Sequence, residues 1–280
     1  MLTTDEIHES SQITAADSLT TDAACCTTFY ENDLVREVLE DIFHPGGQDL
    51  TRRMLADLKL PMNALIADLG CGTGSSALLI AAEHQYRVRG IERGASNVAR
   101  AEHRRREFGI EDTRLSFHQG DISDLPFEDG SLDAILLECS FSLIDDQAAA
   151  LREFRRVLRV DGVIGISDMS VEGTLPRDIL EIIAPWTCML KAHSETGYQN
   201  IFETGGFELL KQTDESAGLL TMISAIKRKL VIFGAGMRTG TIKDLNIDLA
   251  TVKYWLQRMQ GEVEDRRLRY LGFILRRRSI

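Results

Sequence analysis

Three observations predict that the chain adopts a doubly wound α/β fold. Short apolar segments alternate with amphipathic ones from residue 64 to residue 168, a pattern typical of strands and helices in alternation. Segments such as 134–137 (Ala-Ile-Leu-Leu) are apolar throughout, as strands are when helices cover both faces of a parallel sheet. Glycines at positions 70, 72 and 74 follow the first apolar segment and precede a helical pattern. We therefore expect a mostly parallel sheet covered by helices on both faces.

The predicted elements follow in order along the chain. Apolar spacing predicts helices at 30–42 and 48–58, separated by a break at His44-Pro45-Gly46-Gly47. The predicted strands of the sheet are 64–68, 86–92, 114–118, 132–138, 163–168 and 207–210. The predicted helices that follow the first strand are 75–83, 95–106, 147–157, 179–190 and 198–204. A helical pattern over 215–262 precedes an apolar and aromatic segment at 268–276, which we expect to return to the sheet as its final strand.

This order divides the chain into three parts. Residues 1–50 are expected to form an N-terminal helical lid whose start is disordered, because residues 1–22 are polar and rich in Ser and Thr. Residues 51–214 are expected to form the α/β core. Residues 215–280 are expected to form a helical insertion and the final strand.

Composition and charge narrow the class of protein. The chain has 280 residues and a formal net charge of −11 at pH 7, so we expect no nucleic-acid partner and no non-specific attraction to anionic membranes. No apolar segment approaches the ~20 residues that span a bilayer. The N-terminus lacks the basic and apolar regions of a signal peptide. We therefore expect a cytoplasmic protein, with an oligomeric state that the sequence leaves open.

The loop 68–74, Asp-Leu-Gly-Cys-Gly-Thr-Gly, carries the strongest functional signal. Glycines permit positive φ angles and let a ligand approach the backbone closely. Their spacing differs from that of dinucleotide sites, and the loop lacks the Gly-Lys-Ser/Thr of phosphate loops. Asp68 would repel a phosphate but suits a cation such as the amino group of a methionine moiety. Cys71 lies where the loop needs a small residue, and we interpret its side chain as packing.

Two further carboxylates follow the next two strands. Glu92 can accept hydrogen bonds from both ribose hydroxyls of a nucleoside. Asp121 can accept one from an adenine amino group, with Ile122 packed on the ring. Because parallel sheets bind ligands at the carboxyl ends of their strands, the three acids together indicate S-adenosylmethionine. The candidate cofactor-binding residues are Asp68, Gly70, Cys71, Gly72, Gly74, Glu92, Arg93, Asp121, Ile122 and Glu138.

Around these residues the sequence resembles the class I methyltransferases, in particular their ubiquinone-biosynthesis-like branch. The resemblance covers about residues 60–170 and includes Leu-Pro-Phe-Glu-Asp-Gly-Ser-Leu-Asp-Ala at 125–134 and Glu-Phe-Arg-Arg-Val-Leu at 153–158. At 161–163 the chain has Asp-Gly-Val where the family usually has Pro-Gly-Gly, and this departure keeps a turn. The resemblance implies a seven-stranded sheet, S-adenosylmethionine as methyl donor, and the binding roles of Asp68, Glu92 and Asp121.

The methyl acceptor is less well determined. The sulfonium methyl is already activated, so the protein mainly has to align a nucleophile and exclude water. Glu138 and Cys139 follow the fourth strand, beside the expected methyl group. Glu138 is a base, a ligand for a cationic acceptor, or a carboxylate that caps a helix. Cys139 is a thiolate ligand or a small buried hydrophobe.

A second resemblance bears on the acceptor. The segment that begins with Trp186 and Cys188 and ends at Phe207 resembles part of the arsenite methyltransferases. It implies that Cys139, Cys188 and the Cys25-Cys26 pair bind trivalent arsenic, which soft thiolates suit. The chain departs from that family, because its N-terminal cysteines lie more than 40 residues before the glycine loop and no C-terminal metalloid-binding extension is evident. With five cysteines in all, we expect thiols rather than disulfides.

The sequence therefore leaves three functions open. The first is a methyltransferase for a small organic acceptor, and the second is an arsenite methyltransferase. The third is a regulatory protein that binds the cofactor without catalysis. The candidate residues for the reaction itself are Glu138, Cys139 and Cys188. No resident metal ion is expected, apart from arsenic as a substrate.

Overall fold

A computed structural model describes residues 44–183, 187, 189, 191–239 and 249–279. The strands are β1 (Leu65–Leu69), β2 (Arg87–Glu92), β3 (Leu115–Gln119), β4 (Leu132–Glu138), β5 (Leu158–Val171), β6 (Phe207–Asp214) and β7 (Leu268–Arg277). The helices are α1 (Gly47–Leu58), α2 (Ser75–Glu83), α3 (Ala95–Glu107), α4 (Gln147–Val157), α5 (Glu195–Thr204), α6 (Ser216–Thr239) and α7 (Leu249–Glu264). Short helical turns form at Phe141–Leu143 and Ile179–Ile183.

Over the described ranges, the seven strands form one sheet in the order β3-β2-β1-β4-β5-β7-β6. Parallel pairs join β1 to β2 and β4, β2 to β3, and β4 to β5. Strand β7 runs antiparallel to both β5 and β6. The expected seven-stranded, mostly parallel fold is confirmed, and the segment 268–276 does return to the sheet after two helices, α6 and α7.

The core lies on both faces of this sheet. On one face, Met54 of α1 belongs to the same buried cluster as Ile66 and Leu136. On the other face, Phe154 of α4 belongs to a cluster with aromatic residues of α5 and β7. The Tyr198 hydroxyl in that cluster donates to the Met169 carbonyl at 2.8 Å, so the buried hydroxyl has a hydrogen-bond partner. Apolar strands are thus buried on both faces, as their composition predicts.

Some predicted bounds were wrong. The fifth strand is longer than 163–168, because it begins at Leu158 directly after α4 and continues to Val171. Among the described residues of the helix predicted over 179–190, Ile179–Ile183 form a π-helical turn, and Thr187 and Met189 lie in turns. Pro185 disfavours helix at the residue before it, and the apolar spacing concealed that signal. The helix predicted at 30–42 lies outside the described residues.

In the part of the chain that the structure describes, no helix combines the length and the apolar composition needed to cross a bilayer.

Candidate active site

The candidate site lies at the carboxyl ends of β1, β2 and β4. Strand β1 pairs with β2 on one side and with β4 on the other, with Asp68 in register with Gly90 and Leu136. The chain order reverses between β1 and β4, and open α/β sheets bind their ligands at such a switch point. The loop 70–74 leaves β1 at this edge and leads into α2.

The glycine loop is held in a conformation that side chains would disturb. Gly70 has a φ of 71°, and a Cβ there would lie 2.8 Å from the Cβ of Ser140. Ser140 in turn donates a hydrogen bond to the Leu69 carbonyl at 3.2 Å. A Cβ on Gly72, at a φ of 53°, would meet no atom within 4 Å. The loop is therefore packed against the turn after β4 at Gly70 and open above Gly72, where a ligand can approach the backbone.

Cys71 has its side chain directed inward from this loop. It packs against the core cluster on the α1 and α2 side of the sheet. Burial raises the pKa of its thiol well above the usual range. Its position below Gly72 agrees with a packing role in a loop that has room for small side chains only.

Asp68 is a buried carboxylate beside the loop. Its Oδ2 atom has no hydrogen-bond partner among the described residues. Burial and the neighbouring charge of Glu138 raise the pKa of Asp68 well above its usual range. A buried carboxylate without a counter-ion is costly, so this position favours a cationic ligand.

Glu92 closes the loop from the side of β2. Its Oε2 accepts from the Gly72 amide at 3.0 Å, and its Oε1 accepts from the Gly94 amide at 2.9 Å. Both carboxylate oxygens therefore lie beside the open part of the loop. This is the edge where the sequence predicts a nucleoside sugar.

Asp121 follows β3 and is oriented by its neighbours. Its Oδ1 accepts from the Ser123 amide and hydroxyl at 2.9 and 2.7 Å, and Arg93 donates to its Oδ2 at 3.0 Å. These hydrogen bonds lower the pKa of Asp121, and those from Ser123 have the largest effect. Ile122 packs against the core at the end of the sheet, within 4.0 Å of where a Gly70 side chain would begin. Arg93, Asp121 and Ile122 therefore form one wall next to the loop.

Glu138 lies at the end of β4 and faces α1 and α2. Thr51 donates to both of its oxygens, at 2.9 and 3.2 Å, and Ser76 donates to Oε2 at 2.5 Å. The His44 Nε2 atom lies 3.6 Å from the same oxygen. The side chain of Glu138 is only 5% exposed. Glu138 therefore lies close to Asp68 at the start of the glycine loop. Its three partners come from α1, α2 and the turn before α1, and not from the segment that follows β4.

Thr51 and Ser76 were missing from the sequence-based set of site residues. Each is polar at an inward position of a helix that otherwise buries apolar side chains. A polar residue on a buried helix face needs a hydrogen-bond partner, so this pattern could have indicated Thr51 and Ser76 as site residues. The identity of the partner depends on how α1 and α2 pack on the sheet.

Cys139 lies at the first turn after β4. It has a φ of 55°, and its amide donates to the Ser167 carbonyl at 2.7 Å. The Ser167 hydroxyl lies 2.9 Å from the hydroxyl of Tyr270 on β7. Burial and then the neighbouring Cys139 raise the pKa of Tyr270 well above its usual range. The final strand thus brings a buried phenol next to the candidate residue Cys139, a contact that the sequence pattern did not reveal.

Asp168 accepts hydrogen bonds from the turn that follows Cys139. It is fully buried on β5 and accepts from the Ser142 amide and hydroxyl at 2.8 and 2.6 Å, and from the Met169 amide at 2.7 Å. Burial raises the pKa of Asp168 to about 6, and the hydrogen bonds from Ser142 oppose the rise. Asp168 therefore fixes the turn Phe141–Leu143 that follows Cys139.

Three of the four cysteines proposed to bind arsenic, Cys25, Cys26 and Cys188, lie outside the described residues. Cys139 is half-buried. Among the described residues, no group of three His, Cys, Asp or Glu side chains has a metal-binding arrangement.

Comparison with known proteins identifies the family. The family described as "Methyltransferase domain" matches residues 62–214, more than half of the chain, and the chain belongs to it. The methyltransferase GfsG of Streptomyces halstedii is 30% identical over 203 residues, which are 66% of this chain and 72% of that one. The O-methyltransferase resE of Aspergillus sclerotiorum is 28% identical over 180 residues, or 62% and 66% of the two chains.

A solved structure shares the fold. The phosphoethanolamine N-methyltransferase 2 of Haemonchus contortus, in complex with S-adenosyl-L-methionine, superposes with a TM-score of 0.77 at 18% identity. The match covers 94% of this chain and 61% of that chain. The sequence-based expectation of an S-adenosylmethionine-dependent methyltransferase for small molecules, with an α/β Rossmann-like fold, is confirmed. The likenesses to the ubiquinone-biosynthesis branch and to arsenite methyltransferases stay predictions.

Proposed function

We propose that this methyltransferase transfers the methyl group of S-adenosylmethionine to a hydroxyl oxygen of a small organic acceptor, with Asp68, Glu92 and Asp121 holding the donor. One observation carries the donor site. The buried Oδ2 of Asp68 lies beside the glycine loop without a hydrogen-bond partner among the described residues. A cationic amino group there would compensate a charge whose burial is otherwise costly.

The nucleoside end of the donor would lie along β2 and β3. Glu92 has both oxygens beside the open part of the loop, where ribose hydroxyls would compete with the amides of Gly72 and Gly94. Asp121 and Ile122 offer an acceptor and an apolar wall for adenine. Arg93 is held by Asp121 and would cover the solvent side of the same pocket.

The donor and the protein contribute different parts of the reaction. When bound, the donor supplies a sulfonium-activated methyl group. The chain binds the charged ends of the donor, aligns the acceptor and keeps water from the reacting atoms. Cys139 and the turn after it, fixed by Asp168, form the described part of the acceptor side. A hydroxyl acceptor is supported by the name of the relative resE, an O-methyltransferase.

An arsenite acceptor is the alternative. Among the described residues it is supported by the position of Cys139 at the carboxyl end of β4, where the predicted first arsenic ligand belongs. If arsenic is the substrate, Cys139→Ser abolishes arsenite methylation and leaves donor affinity unchanged. Under the main proposal, Cys139→Ser retains transfer to the hydroxyl acceptor.

The test is a screen for transfer of labelled methyl from S-adenosylmethionine to a panel of acceptors. The panel contains small apolar alcohols and phenols, amines of similar size, and arsenite with excess thiol. We expect label in a hydroxyl compound, with mass spectrometry showing the gain of one methyl on oxygen. Label only in amines or arsenite would contradict the proposed acceptor class.

The cytoplasmic location and the lack of a nucleic-acid partner stay predictions from charge and composition. The domain boundaries at residues 50 and 214 stay predictions as well.

A further inference from the structure

His193 lies two residues before α5, at the edge of the sheet where β4 and β5 end. The Val171 amide at the end of β5 donates to the His193 carbonyl at 3.1 Å. The nearby Lys191 amide donates to the carbonyl of Ser142, in the turn after β4, at 3.2 Å. Because β4 and β5 are parallel neighbours, these two hydrogen bonds place His193 on the acceptor side of the candidate site.

The same segment also reaches the wall of the proposed donor pocket. Lys191 forms an ion pair with Asp145, which precedes α4. Lys191 lowers the pKa of Asp145, and the charge of Arg93 adds to this effect. Arg93 belongs to the wall beside the glycine loop. Residues 191–193 therefore run between the donor wall and the end of β5.

Gln147 holds the imidazole of His193 at one nitrogen. Gln147 is buried at the start of α4, and its Nε2 atom donates to the carbonyls of Phe141 and Lys191, each at 3.2 Å. Since both carbonyls can only accept, the amide oxygen Oε1 is the atom that faces His193 Nε2, at 2.6 Å. This oxygen can only accept as well, so Nε2 carries a hydrogen.

The other ring nitrogen, Nδ1, can therefore accept a proton. Burial lowers the pKa of His193, so the ring is neutral near pH 7, with a lone pair on Nδ1. In the described part of the chain, the ring has one hydrogen-bond partner, Gln147. A Cβ on Gly197, in the first turn of α5, would lie 3.5 Å from Nδ1 and 3.0 Å from the His193 Cβ. A larger residue at position 197 would cover this edge of the ring, and glycine leaves it uncovered.

The charged groups on either side of His193 have other partners. Glu195 pairs with Arg269, and Glu172 accepts from the Glu195 amide at 2.8 Å. The ring itself packs edge-on against Tyr198, with the two ring centroids 5.2 Å apart. Burial, and not a neighbouring charge, therefore keeps His193 in its neutral form.

We propose that His193 is the general base of the methyl transfer and takes the hydroxyl proton of the acceptor at Nδ1. The acceptor oxygen uses an electron pair to form the new O–CH3 bond, while the S–CH3 bond breaks and its pair stays on sulfur, which becomes a neutral thioether. The O–H bond breaks and the proton goes to Nδ1, so the positive charge of the sulfonium passes to the imidazolium. Gln147 is a positioning residue that orients the ring through Nε2. This assignment rests on the proposed transfer to oxygen.

Two phenols separate the need for a base from general damage to the site. At pH 8, 4-methylphenol keeps its proton, whereas 4-nitrophenol is largely ionised and needs no base. Transfer of labelled methyl to each phenol gives kcat/KM for the full-length wild type and for His193→Gln. The matched control is His103→Gln, which changes an exposed histidine on α3. Calorimetry with S-adenosylhomocysteine measures whether each variant still binds the donor product.

We expect His193→Gln to lower kcat/KM for 4-methylphenol about 10²- to 10⁴-fold, the usual contribution of a general base. Its kcat/KM for 4-nitrophenol and its affinity for S-adenosylhomocysteine should change less than about threefold. Added imidazole should restore transfer to 4-methylphenol in His193→Ala, which a purely structural role of the ring does not predict. If the wild type methylates an alcohol of the acceptor panel but neither phenol, the variants and the imidazole rescue are measured with that alcohol.

Two results would overturn the assignment of His193. One is an unchanged kcat/KM of His193→Gln for 4-methylphenol, or for the alcohol used in its place. The other is an equal loss with both phenols, or no rescue by imidazole, in variants that still bind S-adenosylhomocysteine. Failure of the wild type to methylate any hydroxyl compound would instead overturn the proposed transfer to oxygen, and the assignment with it.

Discussion

The buried carboxylate of Asp168 makes a quantitative prediction about stability and pH. Burial raises its pKa from 3.8 to about 6 in the folded chain. Folding therefore takes up a proton between these values, and the contribution of Asp168 to stability is lost as the pH rises through about 6. The whole shift corresponds to about 3 kcal/mol at 1.36 kcal/mol per pKa unit. At pH 4.5 most of this contribution is present, about 2 kcal/mol, and at pH 7.5 almost none remains.

The perturbation is Asp168→Asn, which keeps the size and one acceptor for Ser142 but does not titrate. We expect the unfolding free energy of the wild type, minus that of the variant, to be about 2 kcal/mol larger at pH 4.5 than at pH 7.5. Urea denaturation at the two pH values measures this difference, and the titration of all other groups cancels to first order. A difference that is equal at both pH values, or larger at pH 7.5, would refute the assignment of a raised pKa to Asp168.

Three further predictions concern the donor site. Because burial and Glu138 raise the pKa of Asp68, and a cation needs the ionised carboxylate, affinity for S-adenosylhomocysteine should increase with pH; a calorimetric profile that is flat or falls would contradict this. Glu92→Gln removes the charge of the carboxylate that is proposed to accept hydrogen bonds from the ribose hydroxyls, so it should weaken binding of both S-adenosylhomocysteine and 5′-methylthioadenosine about tenfold or more. Affinities equal to those of the wild type would exclude the ribose contact. Gly70→Ala places a Cβ 2.8 Å from the Ser140 Cβ and should destabilise by about 1–3 kcal/mol; Gly72→Ala meets no atom within 4 Å and should cost less in thermal denaturation.

Much of the fold could be predicted because the sheet is buried on both faces. Continuous apolar segments such as 134–137 have few alternatives to a central strand. The final strand was also predictable, because 268–276 has the apolar and aromatic side chains that a sheet buries. Its register was not predictable, and the register is what brings Tyr270 next to Ser167 and Cys139. The helix predicted over 179–190 was wrong at Thr187 and Met189, which lie in turns, because Pro185 interrupts the apolar spacing with a residue that breaks helices.

The candidate site, like the fold, could be predicted from the sequence only in part. Asp68, Glu92 and Asp121 follow consecutive strands, and strand ends in a parallel sheet meet at one edge, so local sequence was sufficient to place them together. The partners of Glu138 come from positions 87, 62 and 94 residues away along the chain, at Thr51, Ser76 and His44. Those contacts depend on how α1 and α2 dock on the sheet and on how Gly218 of α6 packs on the His44 turn. No local pattern in the sequence encodes that docking.

The most direct test of the donor site is titration calorimetry of S-adenosylhomocysteine into the wild type, Asp68→Asn and Asp112→Asn. Asp112 is an exposed carboxylate before β3 and serves as the matched control. We expect the wild type and Asp112→Asn to bind with the same affinity. Asp68→Asn should bind at least about tenfold more weakly, because it removes the buried charge that is proposed to face the ligand's ammonium. Absence of wild-type binding at millimolar ligand, or equal affinities for all three proteins, would contradict the role given to Asp68 and the glycine loop.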